Sequence, residues 1–131
     1  FPALEKTYGF KFPRAKVKVM RLELTYDALK VGEVQVAMGF ATDGRIQAFN
    51  LINLRDDKQF FPAYNVAPCL RKDFVDAHSS VCDILAPIAP NLDTTTMQRL
   101  NYKVDMKHYK PEDVAREWLL REGLITLTDE S

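Results

Sequence analysis

The chain has 131 residues, 47% hydrophobic and 27% charged, a mixture that suits one domain with a substantial core and not a disordered segment. Eighteen basic residues offset eighteen acidic ones, and no basic stripe interleaves with aromatics, so no field favours nucleic acid or an anionic membrane surface. No stretch approaches the roughly 20 apolar residues of a membrane span; no signal peptide opens the chain, and its abrupt, helix-like start is expected of a mature or trimmed fragment.

FPALEKTYG (1–9) predicts a short helix with Pro2 in its first turn and Gly9 as its stop. KVKVMRL (16–22) alternates charged and apolar side chains at period two and predicts a strand. TYDALKVGE (25–33) predicts a helix capped at Thr25 and ended near Gly32. VQVAMGF (34–40) is almost wholly apolar, as in a strand buried on both faces, and strand–helix–strand order favours a parallel crossover and the α/β class. In TDGRI (42–46), a turn, Thr42 or Asp43 is placed to cap a short helical segment. AFNLINLRDD (48–57) reads as another strand, stopped by its acidic pair. NVAPCLRKD (65–73) reads as an edge strand, because Pro68 removes a ladder donor.

Beyond residue 72 the character changes. DFVDAHSSVCDILAPIA (73–89) carries Phe74, Val75, Val81, Ile84 and Leu85 and ends near Pro87. LDTTTMQRLNYKVD (92–105) opens on a helix cap, Asp93 or Thr94, and sets Met97 and Leu100 on one face. KPEDVAREWLLREGL (110–124) is the clearest helix: Pro111 in the first turn, acids early, Arg116 and Arg121 later, Gly123 at the stop. Val114, Ala115, Trp118 and Leu119 define its buried stripe, and TLTDES (126–131) is expected to fray. Cys69 and Cys82 lie outside any C-x-x-C pair and His78 is far from His108, so a metal framework is not indicated. One disulfide and two buried thiols both remain open, with buried thiols the plainer reading.

Asp56-Asp57 invites a catalytic or metal reading, but adjacent residues on a strand point to opposite faces and cannot easily share one ion. No G-x-x-x-x-G-K, G-x-S-x-G or H-E-x-x-H accompanies them. The plainer expectation gives Asp57 hydrogen bonds from loop amides and pairs Asp56 with a base. Phe40, at a strand end, and Tyr64, in a loop after Pro62, are better candidates for contact with a ligand, since strand ends in α/β sheets open onto ligand crevices. Two ring faces suit a cation that cannot lose its charge, at about 0.5–2 kcal/mol each when water is excluded. Periodicity by itself makes both rings core residues.

TDGRI (42–46), LRDDKQFFPAYNVAP (54–68), MQRLNYKVD (97–105) and DVAREWLLREGL (113–124), with LEKTYGF (4–10) and LTYDALKVGEVQVAMGFATDG (24–44) in the same order, resemble the substrate-binding proteins of ABC transporters for glycine betaine, choline, carnitine and related osmoprotectants. The similarity covers nearly the whole chain; DDK followed by FFP-x-Y is its most specific part. It implies a two-lobed binding-protein fold of the periplasmic (type II) kind, each lobe α/β, with this chain as the C-terminal half. Residues 1–50 would be the later half of one lobe, 51–58 a returning hinge strand and 59–131 the final part of the other lobe. It further implies no catalysis, no cofactor, an extracytoplasmic location (periplasmic, or anchored at the outer face of the cell membrane), a permease partner, and a quaternary ammonium held by aromatic rings from both lobes.

Two positions of that aromatic box match Phe40 and Tyr64, with Thr42 as a further ligand-side candidate. Tyrosine is usual at the first, so Phe40 keeps the ring face and lacks the hydroxyl. Tyr8 and Tyr26 also match positions of the family but are expected to be packing residues, and the turn suits Arg45 paired with Asp43 or Asp57. Two other readings compete: a small Mg²⁺-dependent α/β enzyme using Asp56 or Asp57, and a half-receptor that assembles as a homodimer or by strand exchange.

Overall fold

The structure, a computed structural model, describes residues 1–127; residues 128–131, most of the expected frayed tail, lie outside that range. Seven helices are present among the described residues: α1 (Pro2–Tyr8), α2 (Leu22–Lys30), α3 (Gly44–Ala48), α4 (Lys72–Ala77), α5 (Ser80–Leu85), α6 (Thr94–Asp105) and α7 (Pro111–Arg121). Short 3₁₀ turns cover Arg14–Lys16 and Ala86–Asn91. None of the helices is long and apolar enough to cross a membrane. By contacts the chain divides into two compact units, one of Phe1–Gly39 with Ile52–Asn65, the other of Phe40–Leu51 with Val66 onward.

In the first unit, α1 ends as expected, Gly9 taking a left-handed φ of 74° and donating its N–H to the Glu5 carbonyl. Glu5 is the buried charge of this unit. Its carboxylate accepts from the Phe12 amide at 2.8 Å and from Arg14 Nη2 at 3.0 Å, which folds residues 9–14 back along α1. Phe12 then meets Phe1 and Phe10 edge-to-face, at 5.7 and 4.9 Å between ring centroids. The next helix starts three residues earlier than its sequence suggests. Thr25 is not its cap; the hydroxyl lies inside α2 and donates to the Leu22 carbonyl at 2.6 Å. Tyr26 and Ala28 are both buried, in keeping with a packing role for Tyr26. At Gly39 an added Cβ would fall 2.5 Å from the Tyr26 hydroxyl oxygen and 2.9 Å from Cζ, so glycine is what lets this stretch lie against the ring.

The second unit is built on α3, α6 and α7. Asp43 caps α3, accepting from the Arg45 amide at 2.9 Å. Gly44 then sits directly on α6, where an added Cβ would be 2.5 Å from the Tyr102 nitrogen and 2.7 Å from the Asn101 carbonyl carbon. Ile46 is buried beside it in sequence. Asp93 caps α6 through the Thr96 amide at 2.7 Å, and this backbone bond, followed by the Thr96 side chain, holds its carboxyl below the usual carboxylate range. On α7 the buried stripe is Val114 and Trp118, with Leu119 half-buried; Ala115 faces solvent. Lys103 Nζ bridges to Glu117 Oε1 at 2.7 Å, tying α6 to α7 and lowering the Glu117 pKa. The 73–89 segment breaks at His78 into α4 and α5. Both cysteines are free and exposed, so neither reading of buried thiols nor a Cys69–Cys82 bridge describes them.

The strands expected at 16–22, 34–40, 48–57 and 65–73 are absent among the described residues, which therefore do not confirm the α/β class. Residues 17–21 and 51–56 carry no helix, and the backbone at Val17 is extended, yet no ladder forms. The apolar residues of these stretches stand in the open: Val19 is 96% exposed, Ile52 82%, Leu54 71% and Val66 73%. The alternation that suggests a strand records which side chains seek cover. It does not supply the neighbouring chain whose N–H and C=O groups make a strand a strand.

Candidate functional site

Phe40 opens the second unit. It does not end a buried strand: its side chain is 60% exposed, which also removes the core reading. The stretch that carries it is fixed through its carbonyls. Phe40 O accepts from the Asp43 amide at 3.2 Å, Ala41 O from Gln98 Nε2 at 2.6 Å, and Thr42 O from Asn101 Nδ2 at 2.8 Å. Two amide side chains one turn apart on α6 therefore grip the backbone just before α3. Arg45 closes the turn from the other side, its Nε and Nη2 forking onto the two Asp43 oxygens at 2.9 and 2.7 Å. Of the two partners offered for Arg45, Asp43 is the one it takes. Thr42 is half-buried.

Tyr64 belongs to the first unit and is 85% exposed, again no core residue. The loop before it is organised by Asp56, which takes the role expected of Asp57. Asp56, not Asp57, takes the loop amides: Oδ1 accepts from Phe60 N at 3.0 Å and Oδ2 from Phe61 N at 2.8 Å. Its other partner is the Tyr8 hydroxyl, donated to Oδ1, where a base was expected. The Tyr8 bond, then the two amides, hold the Asp56 carboxyl below its ordinary pKa, while the same bond pushes the Tyr8 phenol up. Lys58 adds a second link to α1, its Nζ donating to the Thr7 carbonyl at 2.8 Å and lying 5.3 Å from the Tyr8 ring centroid. Phe60 and Phe61 stack edge-to-face at 4.9 Å and line a small apolar pocket of about 80 Å³ with Phe1, Leu4 and Met38. Tyr64 is outside that pocket.

Sequence reasoning passed over Gln98 and Asn101. Both sit in the string MQRLN, and a polar pair three apart on an amphipathic helix was the available signal. Among the described residues no group of three or more His, Cys, Asp or Glu is arranged to hold a metal ion.

Residues 1–121 match the family model for the substrate-binding domain of ABC-type glycine betaine transport systems. The chain belongs to this family. The family is a substrate-binding domain and not an enzyme. Among its relatives, the glycine-betaine-binding protein of Pseudomonas aeruginosa is 38% identical over 93% of this chain and 39% of its own length. The carnitine transport binding protein OpuCC of Listeria monocytogenes is 36% identical over 91% of this chain and 38% of its own. A crystal structure described as a glycine betaine/carnitine/choline ABC transporter superposes with a TM-score of 0.87 at 37% identity, covering 95% of this chain and 44% of that one. The chain thus spans about two fifths of the length of these curated relatives.

Proposed function

We propose that this chain is part of the solute-binding component of an ABC importer, working outside the cytoplasm, and that it captures a quaternary ammonium compound such as glycine betaine, choline or carnitine and delivers it to a membrane permease. Phe40 and Tyr64 each supply a ring face to the cationic head, and Thr42, two residues beyond Phe40, supplies a hydroxyl. The observation that carries this reading is the state of those two rings: in a chain of this family both are solvent-exposed, each on a stretch tied down by hydrogen bonds. A permanent cation offers no proton to give up, so attraction to ring faces is the interaction left, about 0.5–2 kcal/mol per ring. The Mg²⁺ enzyme reading is not supported by the family, which is a substrate-binding domain, and the Asp56 oxygens already accept from Tyr8 and two amides.

Calorimetry decides the matter on a polypeptide of the family's full length that contains residues 1–131. Choline, carnitine or glycine betaine is expected to bind, and the Phe40→Ala/Tyr64→Ala double variant to lose on the order of 10- to 1,000-fold in affinity. Undiminished binding by that variant rejects the assignment. The exposed apolar side chains Val19, Ile52, Leu54 and Val66 favour a second reading, assembly of copies of this chain. Sedimentation reads it directly, and a monomer at high concentration removes it.

A further inference from the structure

We infer that Asp56, clasped by Tyr8, is the positioning residue that fixes the 56–61 turn and thereby presents the Tyr64 ring. Three donors meet at this carboxylate, the Tyr8 hydroxyl and the Phe60 amide on Oδ1 and the Phe61 amide on Oδ2. The Tyr8 oxygen accepts in turn from the Lys58 amide at 3.3 Å, so phenol, carboxylate and turn form one closed circuit. Gln59 takes a left-handed φ of 51°, the conformation that swings the next two amides round to the carboxylate. A residue other than glycine adopts it only where the surroundings hold it there.

The remaining ties of the loop lead to the same helix. Lys58 Nζ reaches the Thr7 carbonyl of α1, and Phe60 and Phe61 share their apolar pocket with Phe1 and Leu4. Polar and apolar anchors alike therefore run from 56–61 to α1 and the residue before it. Pro62 fixes the following φ, and Tyr64 stands two residues further on with 85% of its surface exposed. A ring so exposed gains nothing from its own packing. Its direction is inherited from the turn, and a ring held in direction loses less freedom when a ligand settles on it. Asp56 touches no ligand in this account; it acts through Tyr64.

The effect on affinity rests on the ligand reading above, whereas the effect on the loop does not. In the full-length polypeptide, Asp56→Ala is expected to weaken choline binding about tenfold when Tyr64 is present and less than about twofold in a Tyr64→Ala background, the non-additivity of residues that act as a unit. Tyr8→Phe, which keeps the ring and removes the donor, is expected to cost about threefold with the same dependence on Tyr64. Equal losses in both backgrounds, or none, overturn the inference. In the ligand-free protein, amide hydrogen exchange at Phe60 and Phe61 is expected to accelerate about tenfold or more in Asp56→Ala, with Asp56→Asn between, since one carbonyl oxygen can still hold an amide. Unchanged exchange overturns the inference even where affinity falls. Faster exchange in Asp56→Ala, together with a wild type that binds no quaternary ammonium, sinks the ligand reading and leaves the loop assignment standing.

Discussion

Each unit carries one of the two candidate rings, and the two supporting segments are secured by opposite chemistry. Just after Phe40, backbone carbonyls at Ala41 and Thr42 receive donors from Gln98 and Asn101, neutral side chains on the longest helix of the unit. Ahead of Tyr64, backbone amides at Phe60 and Phe61 donate to the charged side chain of Asp56, itself bonded to a phenol. A neutral amide grip is indifferent to pH in the accessible range, and its strength depends on how firmly α3 and α6 hold together. A carboxylate grip is stronger per bond and is lost on protonation. The same task, orienting a ring with little packing of its own, is thus coupled to helix packing in one unit and to ionisation in the other.

The largest expected effect tests the first half of that contrast. Gly44→Ala places a methyl carbon against the α6 backbone, 2.5 Å from the Tyr102 nitrogen, where no rotamer change can relieve it. The helices must separate, at about 2–3 kcal/mol. A urea denaturation midpoint lowered to that extent, with weaker ligand binding at native conditions, is the expected outcome; an unchanged midpoint would mean that α3 and α6 do not depend on this approach. Glu5→Ala probes the first unit in the same experiment. It leaves the Phe12 amide and Arg14 guanidinium without their acceptor and is expected to cost about 1.5–3 kcal/mol. Next in size is Asn101→Ala, which frees the Thr42 carbonyl and is expected to cost about 1 kcal/mol of stability. If the amide grip matters to Phe40, the affinity loss in Asn101→Ala exceeds what the change in folded fraction explains.

The helical part of this arrangement was legible in the sequence because its signals are local. Pro2 and Gly9 bracket α1, Asp93 opens α6, Pro111 opens α7, and each acts within one turn of its own position. Trp118 in the α7 stripe is buried for the same reason. What failed is what depends on distant partners. The alternation of 16–22 and the apolar run of 34–40 read as strands, yet a strand exists only with a ladder neighbour, and sequence does not say whether one is present. Thr25 has the chemistry of a cap, but the helix found a start at Leu22, and the hydroxyl turned inward to a carbonyl. At the candidate site, the rings Phe40 and Tyr64 could be named from the motifs, and their supports could not. Asn101 meets Thr42 across 59 positions and Tyr8 meets Asp56 across 48. Between Asp56 and Asp57 the sequence offers two identical carboxylates, and only the path of the turn selects one.

The smallest predicted effect separates the two grips most cleanly. Asp56 has its carboxyl pKa depressed, first by the Tyr8 hydroxyl and then by the Phe61 and Phe60 amides. A depressed folded-state value means that the ionised group stabilises the fold above the ordinary carboxylate pKa, and that this contribution fades as pH falls through the lower, folded-state value. Tyr8 has the opposite sign: its phenol is raised by the same bond, so its contribution is complete below the ordinary tyrosine pKa and is lost as pH rises through the folded one. Exchange protection of the Phe60 and Phe61 amides, measured against the intrinsic rate at each pH, should therefore hold across the neutral range and decline at both extremes. The Asn101 side-chain amide has no such titration, and its bond to Thr42 should persist wherever the fold does. In Tyr8→Phe the alkaline decline should vanish while the acid one moves to higher pH, since the carboxylate has lost its largest source of depression. An acid midpoint that stays where it was in Tyr8→Phe would show that the phenol does not support Asp56, and the contrast between the two grips would reduce to amide against carboxylate alone.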